Sequence, residues 1–291
     1  VSINNGVLIL SPGTENSVSY LATPEQKKRV TCKTVARGGV HLGFVGGVKG
    51  ERLVVFSATY VPGKLPRIVA SGNAQVFVRP VESDGLLEVQ LSDAARCAAQ
   101  EIRMGELRVR TAGESSFSGA SLSSRLLNLS TDGRSLVNLV GCRVSESANV
   151  IVKGSSRASL QGATPKLEAH VLGAELDGAM FKADQVELFL AKHSNSVVVH
   201  ATGKLGAYPP RKGFRGVSPN RALVIENIGN PVIENSSGVP AKSVKDASSL
   251  LSKLGSGEGV ALNGTKLIQD VRRVVADAMT LSAAFLDIFA R

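Results

Sequence analysis

Residues 105–124, GELRVRTAGESSFSGASLSS, decide the fold. Leu107, Val109 and Thr111 alternate with Arg108 and Arg110, so one side of an extended segment is apolar and the other charged, as in a half-buried strand. Gly113 stands four positions after Val109, where a tight turn needs a residue that accepts left-handed backbone. Phe117, eight positions after Val109, offers a second inward side chain.

The pattern recurs on both sides of this stretch. Val69, Val89, Val109, Leu129, Val150, Ala169 and Leu188 are the centres of alternating segments, spaced by 20, 20, 20, 21, 19 and 19 residues. Four positions after them stand Asn73, Asp93, Gly113, Gly133, Gly154, Gly173 and Lys192, and eight positions after the first five stand Phe77, Cys97, Phe117, Val137 and Ala158. A unit of this length cannot bury its own apolar face and must stack on copies of itself. The spacing predicts an all-β, parallel β-solenoid of about seven turns of 19–21 residues, right-handed by the crossover rule. At about 4.8 Å per turn its length is roughly 35 Å.

These repeats, from GELRVRTAGESSFSGASLSS through LLNLSTDGRSLVNL, VIVKGSSRASLQGA and KLEAHVLGAELDGA to VELFLAKHSNSVVV, resemble the auto-transporter adhesin head domain family, also called the GIN domain family. The resemblance covers roughly residues 65–235. It implies a small right-handed β-solenoid with Ser, Gly and Ala in its turns, mostly found in bacterial envelope proteins, and it brings no catalytic motif.

A solenoid needs closed ends. Residues 1–62 contain strand-like runs broken by Gly and Pro and read as a β cap region leading into the first turns; residues 63–235 are the solenoid; residues 236–291 are a helical extension. From Ser243 the apolar period changes to that of a helix, with Ser243 and Asp246 as a capping box and Gly255 as the stop. A second helix is predicted from about Thr265 to Phe289. Its stripe of Leu267, Val271, Val274, Leu281 and Phe285 suits packing on the solenoid or docking on a partner protein.

Composition narrows the function. Lys plus Arg number 34 against 24 Asp plus Glu in 291 residues, a net charge of +10, and aromatics are only 4% with no Trp, which disfavours an aromatic-lined pocket. Cys32, Cys97 and Cys142 lack metal-ligand spacing; they read as small buried hydrophobes, and free thiols fit a reducing compartment better than a secreted one. No apolar run is long enough to span a bilayer. The chain begins at Val1 rather than Met, from which we expect a trimmed form whose targeting peptide is gone.

Neither a catalytic constellation nor a cofactor or metal motif emerges. Glu168 and Glu187, beside His170, are the one carboxylate pair on the outward rows and read as a solvated surface. His41, His170, His193 and His200 form no H-E-x-x-H. The strongest local feature is the basic insertion at 204–221, KLGAYPPRKGFRGVSPNR. Lys204, Arg211, Lys212, Arg215 and Arg221 could meet phosphates there while Tyr208 and Phe214 stack on bases. The sequence therefore suggests a non-catalytic scaffold or interaction subunit of a larger assembly, a mitochondrial ribonucleoprotein in which the basic loop meets RNA or acidic protein surfaces. The alternatives are an adhesion module of the cell surface or periplasm and a polysaccharide-acting β-helix enzyme.

Overall fold

The computed structural model describes residues 1–35, 39–45, 53–65, 67–191, 194, 196–210, 225–228, 231–237 and 239–244. The chain divides into two compact units, Val1–Lys245 and Asp246–Arg291, and the described residues all belong to the first. The predicted helix stripe of Leu267, Val271, Val274, Leu281 and Phe285 lies outside them.

The described residues form twenty strands in one continuous hydrogen-bonded sheet, coiled as a β-solenoid. Its regular part begins with β7 (Arg67–Ser71), β8 (Gln75–Val78), β9 (Val81–Leu91), β10 (Arg96–Ala99), β11 (Ile102–Thr111), β12 (Ser116–Gly119) and β13 (Leu122–Thr131). It continues through β14 (Leu136–Lys153), β15 (Arg157–Leu172), β16 (Glu175–Leu190) and β17 (Ser196–Tyr208), each of which bends round two corners and serves all three sides. Every pairing along this run is parallel. Three stacks of inward side chains result. Val89, Val109, Leu129, Val150, Ala169, Leu188 and Ala207 lie one above another on the first side. Val76, Cys97, Phe117, Val137, Ala158, Leu176 and Val197 line the second. Val81, Ile102, Leu122, Cys142, Gly162 and Phe181 line the third. Apart from Gly162, which has no side chain, the residues in these rows are buried, and together they are most of the core.

The first repeat unit is displaced by one residue from the sequence reading. Ile68, not Val69, stands opposite Val89, and Val76, not Phe77, stands opposite Cys97. The turn that joins them is therefore 21 residues long. It holds one residue more between Ser83 and Leu86 than the next turn holds between Met104 and Glu106, where the register shifts. The other 21-residue turn carries its extra residue at the same corner, between Val144 and Ser147 opposite Ser124 and Leu126.

Each turn passes the corner after the first side through one left-handed residue. These are Gly72, Asp93, Gly113, Gly133, Gly154 and Gly173, with φ between 59° and 80°. At Gly133 the restriction is double: φ is 75°, and a Cβ would sit 2.8 Å from the carbonyl oxygen of Gly113 in the turn below. Just past this corner the small inward residues Ser115, Ser135, Ser156 and Ser194 are buried, and their hydroxyls donate to backbone carbonyls, as in Ser194 to Val171 at 2.7 Å and Ser135 to Asp132 at 2.8 Å. Thr111 donates to Ser135 at 2.9 Å, and Thr131 and Ser156 share a bond of 2.8 Å. The Ser-rich turns thus put hydroxyls inside the wall without leaving them unpaired.

The N-terminal residues do not precede the first turn in space. β1 (Ser2–Asn4) lies between β5 (Gly39–Phe44) and β7, and β2 (Val7–Pro12) between β6 (Val55–Tyr60) and β8, all parallel. The first twelve residues form the first and second sides of a turn inserted between two later ones. Asn5 takes the left-handed corner at φ 60°, and its side chain accepts the Asn73 N–H at 2.9 Å. Beyond this, β3 (Ser17–Leu21) and β4 (Val30–Val35), joined through the short helix α1 (Pro24–Lys27), pair antiparallel with β6 and β5. The reversal of direction ends the parallel template.

At the other end β17 pairs with β18 (Ile225–Ile228) and β19 (Val232–Asn235), and β18 pairs with β20 (Ala241–Val244). Ser243 and Val244, expected to open a helix, are instead strand residues paired with Asn227 and Ile228. The edge of β18 supplies backbone partners there, and tertiary pairing overrides the local capping pattern.

Leu107 is fully buried at mid-stack, so Leu107→Ala should cost about 2–5 kcal/mol in denaturant unfolding. Gly133→Ala should cost roughly 1–2 kcal/mol from the left-handed backbone alone. Burial pushes the Cys97 and Cys142 thiols up to about 12, whereas Cys32 is exposed on β4. Below that value both buried thiols stay protonated. In the native protein at neutral pH an alkylating reagent should label Cys32 alone, and all three cysteines after denaturation.

Candidate functional site

Two surfaces of the solenoid carry polar side chains in rows. The first is the outward face of the first side. Its charges compensate one another: Glu88 lies 3.4 Å from both Arg67 and Arg110, and Glu106 takes Arg108 at 2.7 Å and the Asn128 amide at 2.9 Å. Glu168 and Glu187 stand opposite each other on neighbouring turns, as the sequence spacing requires. Each has its own partner, His170 Nε2 at 3.1 Å from Glu168 and Lys166 Nζ at 3.2 Å from Glu187. Towards the C-terminal turns this face becomes aromatic. His170 stacks on Phe189 at 4.6 Å between centroids, and Phe189 meets Tyr208 at 5.5 Å.

The structure separates the residues expected to contact RNA. Lys204 and Tyr208 belong to β17, inside the solenoid wall, so the repeat continues five residues into the supposed insertion. Lys204 pairs with Glu234 at 3.0 Å, which raises its pKa mainly through that hydrogen bond, and Tyr208 closes the aromatic stack. Arg211, Lys212, Phe214, Arg215 and Arg221 lie outside the described residues. The two described members are thus engaged with the solenoid itself.

The second surface is a groove of about 1040 Å³ along the corner between the third and first sides. It follows the solenoid axis from the turn of Glu82 and Asp84 to the successive turns of Asp184 and Thr202. It lies where the strands change register, and both 21-residue turns place their extra residue in it, at Asp84–Gly85 and at Ser145–Glu146. Gly105 forms part of its floor, because a Cβ there would collide with the carbonyl of Asp84 in the turn below.

One row of ladder partners runs along the groove: Glu82, Arg103, Ser123, Arg143, Ala163 and Lys182, each opposite the next. All lie among the residues that line it, and from Arg103 onward all are exposed. Arg103 pairs with Glu101 at 2.7 Å but keeps 59% of its side chain exposed. Arg143 and Lys182 have no ion pair among the described residues. Ser123, Ser145, Thr164 and Thr202 add hydroxyls, and no aromatic ring is among the lining residues. Beneath the row, the buried Ser124 hydroxyl has no hydrogen-bond partner among the described residues. Among the described residues no cluster of three or more His, Cys, Asp or Glu could hold a metal ion, and no helix is long and apolar enough to cross a membrane.

In fold, this chain is similar to an adhesin solenoid. The crystal structure of a putative adhesin from Parabacteroides distasonis ATCC 8503 superposes with a TM-score of 0.54 over 84% of this chain and 92% of that one, at 13% identity. That of a putative adhesin from Parabacteroides merdae ATCC 43184 gives 0.49 over 84% and 89%, at 14% identity. No family model and no curated protein matches the sequence. The likeness to an adhesin head-domain solenoid holds at the level of the fold, and neither the comparisons nor the described residues support a mitochondrial ribonucleoprotein.

The sequence reading missed the groove because it followed the centre of the first side. The signal was present: Arg103, Ser123, Arg143 and Ala163 recur at 20 residues and Lys182 at 19. If Gly105 is required by the close approach of Asp84, Gly105→Ala should lower stability by about 1–3 kcal/mol, whereas Ser123→Ala on the open rim should be neutral within about 0.5 kcal/mol; thermal melting compares them.

Proposed function

We propose that the protein is a non-catalytic adhesion module of the cell surface or periplasm that holds its ligand in the groove. The observation that carries this reading is a groove crossing successive turns, with Arg143 and Lys182 in no ion pair among the described residues, on a fold similar to that of the Parabacteroides distasonis adhesin. A static solenoid suits the role, since its wall presents side chains at fixed intervals with no ordering cost on binding.

The absence of catalysis in this proposal rests on how the acids are placed. Cleaving a glycosidic bond needs an acid and a base on either side of it. In the groove the carboxylates Glu82, Asp84 and Asp184 stand at the two ends, and the middle holds cations and hydroxyls. Glu168 and Glu187 lie on the other face, each with its own partner. The thiols do not oppose an oxidising compartment, because Cys97 and Cys142 are buried and protonated and Cys32 has no second exposed cysteine to pair with among the described residues.

Beads coated with the protein should attach to cells or extracellular matrix, and Ser123→Trp, which fills the groove from its exposed rim, should reduce attachment about tenfold or more. Ser130→Trp on the flat face should leave it unchanged. No attachment by the unmodified protein, or equal attachment by both variants, would contradict the reading.

A further inference from the structure

We infer that the groove binds an extended acidic polysaccharide carrying an acid group on every second sugar. This rests on the proposed role of the groove as the adhesive site and names its ligand.

Parallel in-register stacking sets the chemistry. Successive members of the row are one turn apart, about 4.8 Å. The cations Arg103, Arg143 and Lys182 occupy alternate positions, with the small residues Ser123 and Ala163 between them. Positive charge therefore recurs about every 10 Å along a straight line, over a row of about 19 Å. An extended pyranose chain advances by close to one turn's rise per sugar. A chain laid along the groove thus sets one sugar against each turn, and an acid on alternate sugars meets a cation each time. The sugars between come to rest over Ser123 and Ala163, where there is room for a ring, with the hydroxyl of Ser145 at hand on the groove wall.

Charge defines both the centre and the ends. Arg143 and Lys182 have no ion pair among the described residues, unlike Arg67, Arg108 and Arg110 on the flat face, each held by a carboxylate. Glu82 and Asp84 at one end and Asp184 at the other, which accepts the Thr202 hydroxyl at 3.0 Å, repel an acidic chain and fix where its charges lie. Single-stranded nucleic acid fits less well: its affinity depends on stacking of bases on aromatic rings, and none lines the groove.

The test is calorimetric titration of the folded protein with hyaluronan oligosaccharides, which carry one carboxylate per disaccharide, and with neutral chitohexaose. Affinity should rise from disaccharide to hexasaccharide, level off beyond it, and fall as salt is raised. Arg143→Gln and Lys182→Gln should each weaken hexasaccharide binding about tenfold, with Arg143→Lys closer to the unmodified protein. Arg110→Gln should have no effect, and all four variants should melt at the unmodified temperature. Chitohexaose binding as tightly as hyaluronan, no loss in Arg143→Gln and Lys182→Gln, or tighter binding of a single-stranded oligonucleotide would overturn the inference. If hyaluronan fails while Ser123→Trp still abolishes bead attachment, the ligand is wrong and the adhesive groove stands; if Ser123→Trp has no effect either, both fall.

Discussion

The regular part of this solenoid depends on one constraint: from β9 to β17 each strand hydrogen-bonds in parallel to the strand one turn earlier. That constraint turns a 20-residue period in sequence into columns of like positions about 4.8 Å apart in space. The core columns, from Val89 to Ala207 and from Val76 to Val197, are apolar because every member is enclosed by the members above and below. The left-handed corner is repeated for the same reason. Once Gly113 bends the chain there, Gly133 must bend at the same place, and its hydrogen sits where any side chain would strike the Gly113 carbonyl.

Much of this is legible in the sequence because it is local and periodic. Alternation marks the strands, and Gly or Asp four residues later marks the corner. What escapes is decided by contacts distant in sequence. The strands Ser2–Asn4 and Val7–Pro12 pair with residues about 40 to 50 positions away on one side and about 70 on the other, and nothing within those strands says that later segments will flank them. The 20-residue spacing points to Val69 where Ile68 stands in the column, because an extra residue at Asp84–Gly85 is absorbed without disturbing the columns. Ser243 carries a good helix-capping pattern, yet its backbone completes an edge offered by Asn227.

The candidate site shows the same division. Basic residues crowded in sequence, such as those of 204–221, are conspicuous there, yet Lys204 is paired with Glu234 and Tyr208 lies against Phe189. Basic residues 40 positions apart, Arg103 and Arg143, are brought onto one line by the coil. The flat face satisfies its own charges. The groove arises where turns of unequal length take up their extra residues, and it keeps two cations, Arg143 and Lys182, without an ion pair among the described residues. A site of this kind is a property of the stacking rather than of any short motif.

The most direct measurement is therefore a distance along the groove. With Cys32 replaced by Ser, spin labels attached through Glu82→Cys and Ala163→Cys sit in one row four turns apart. Pulsed electron paramagnetic resonance should give a single narrow distribution near 19 Å. A broad distribution, or one centred well beyond 30 Å, would mean that the turns do not stack in register and that the row of cations does not exist.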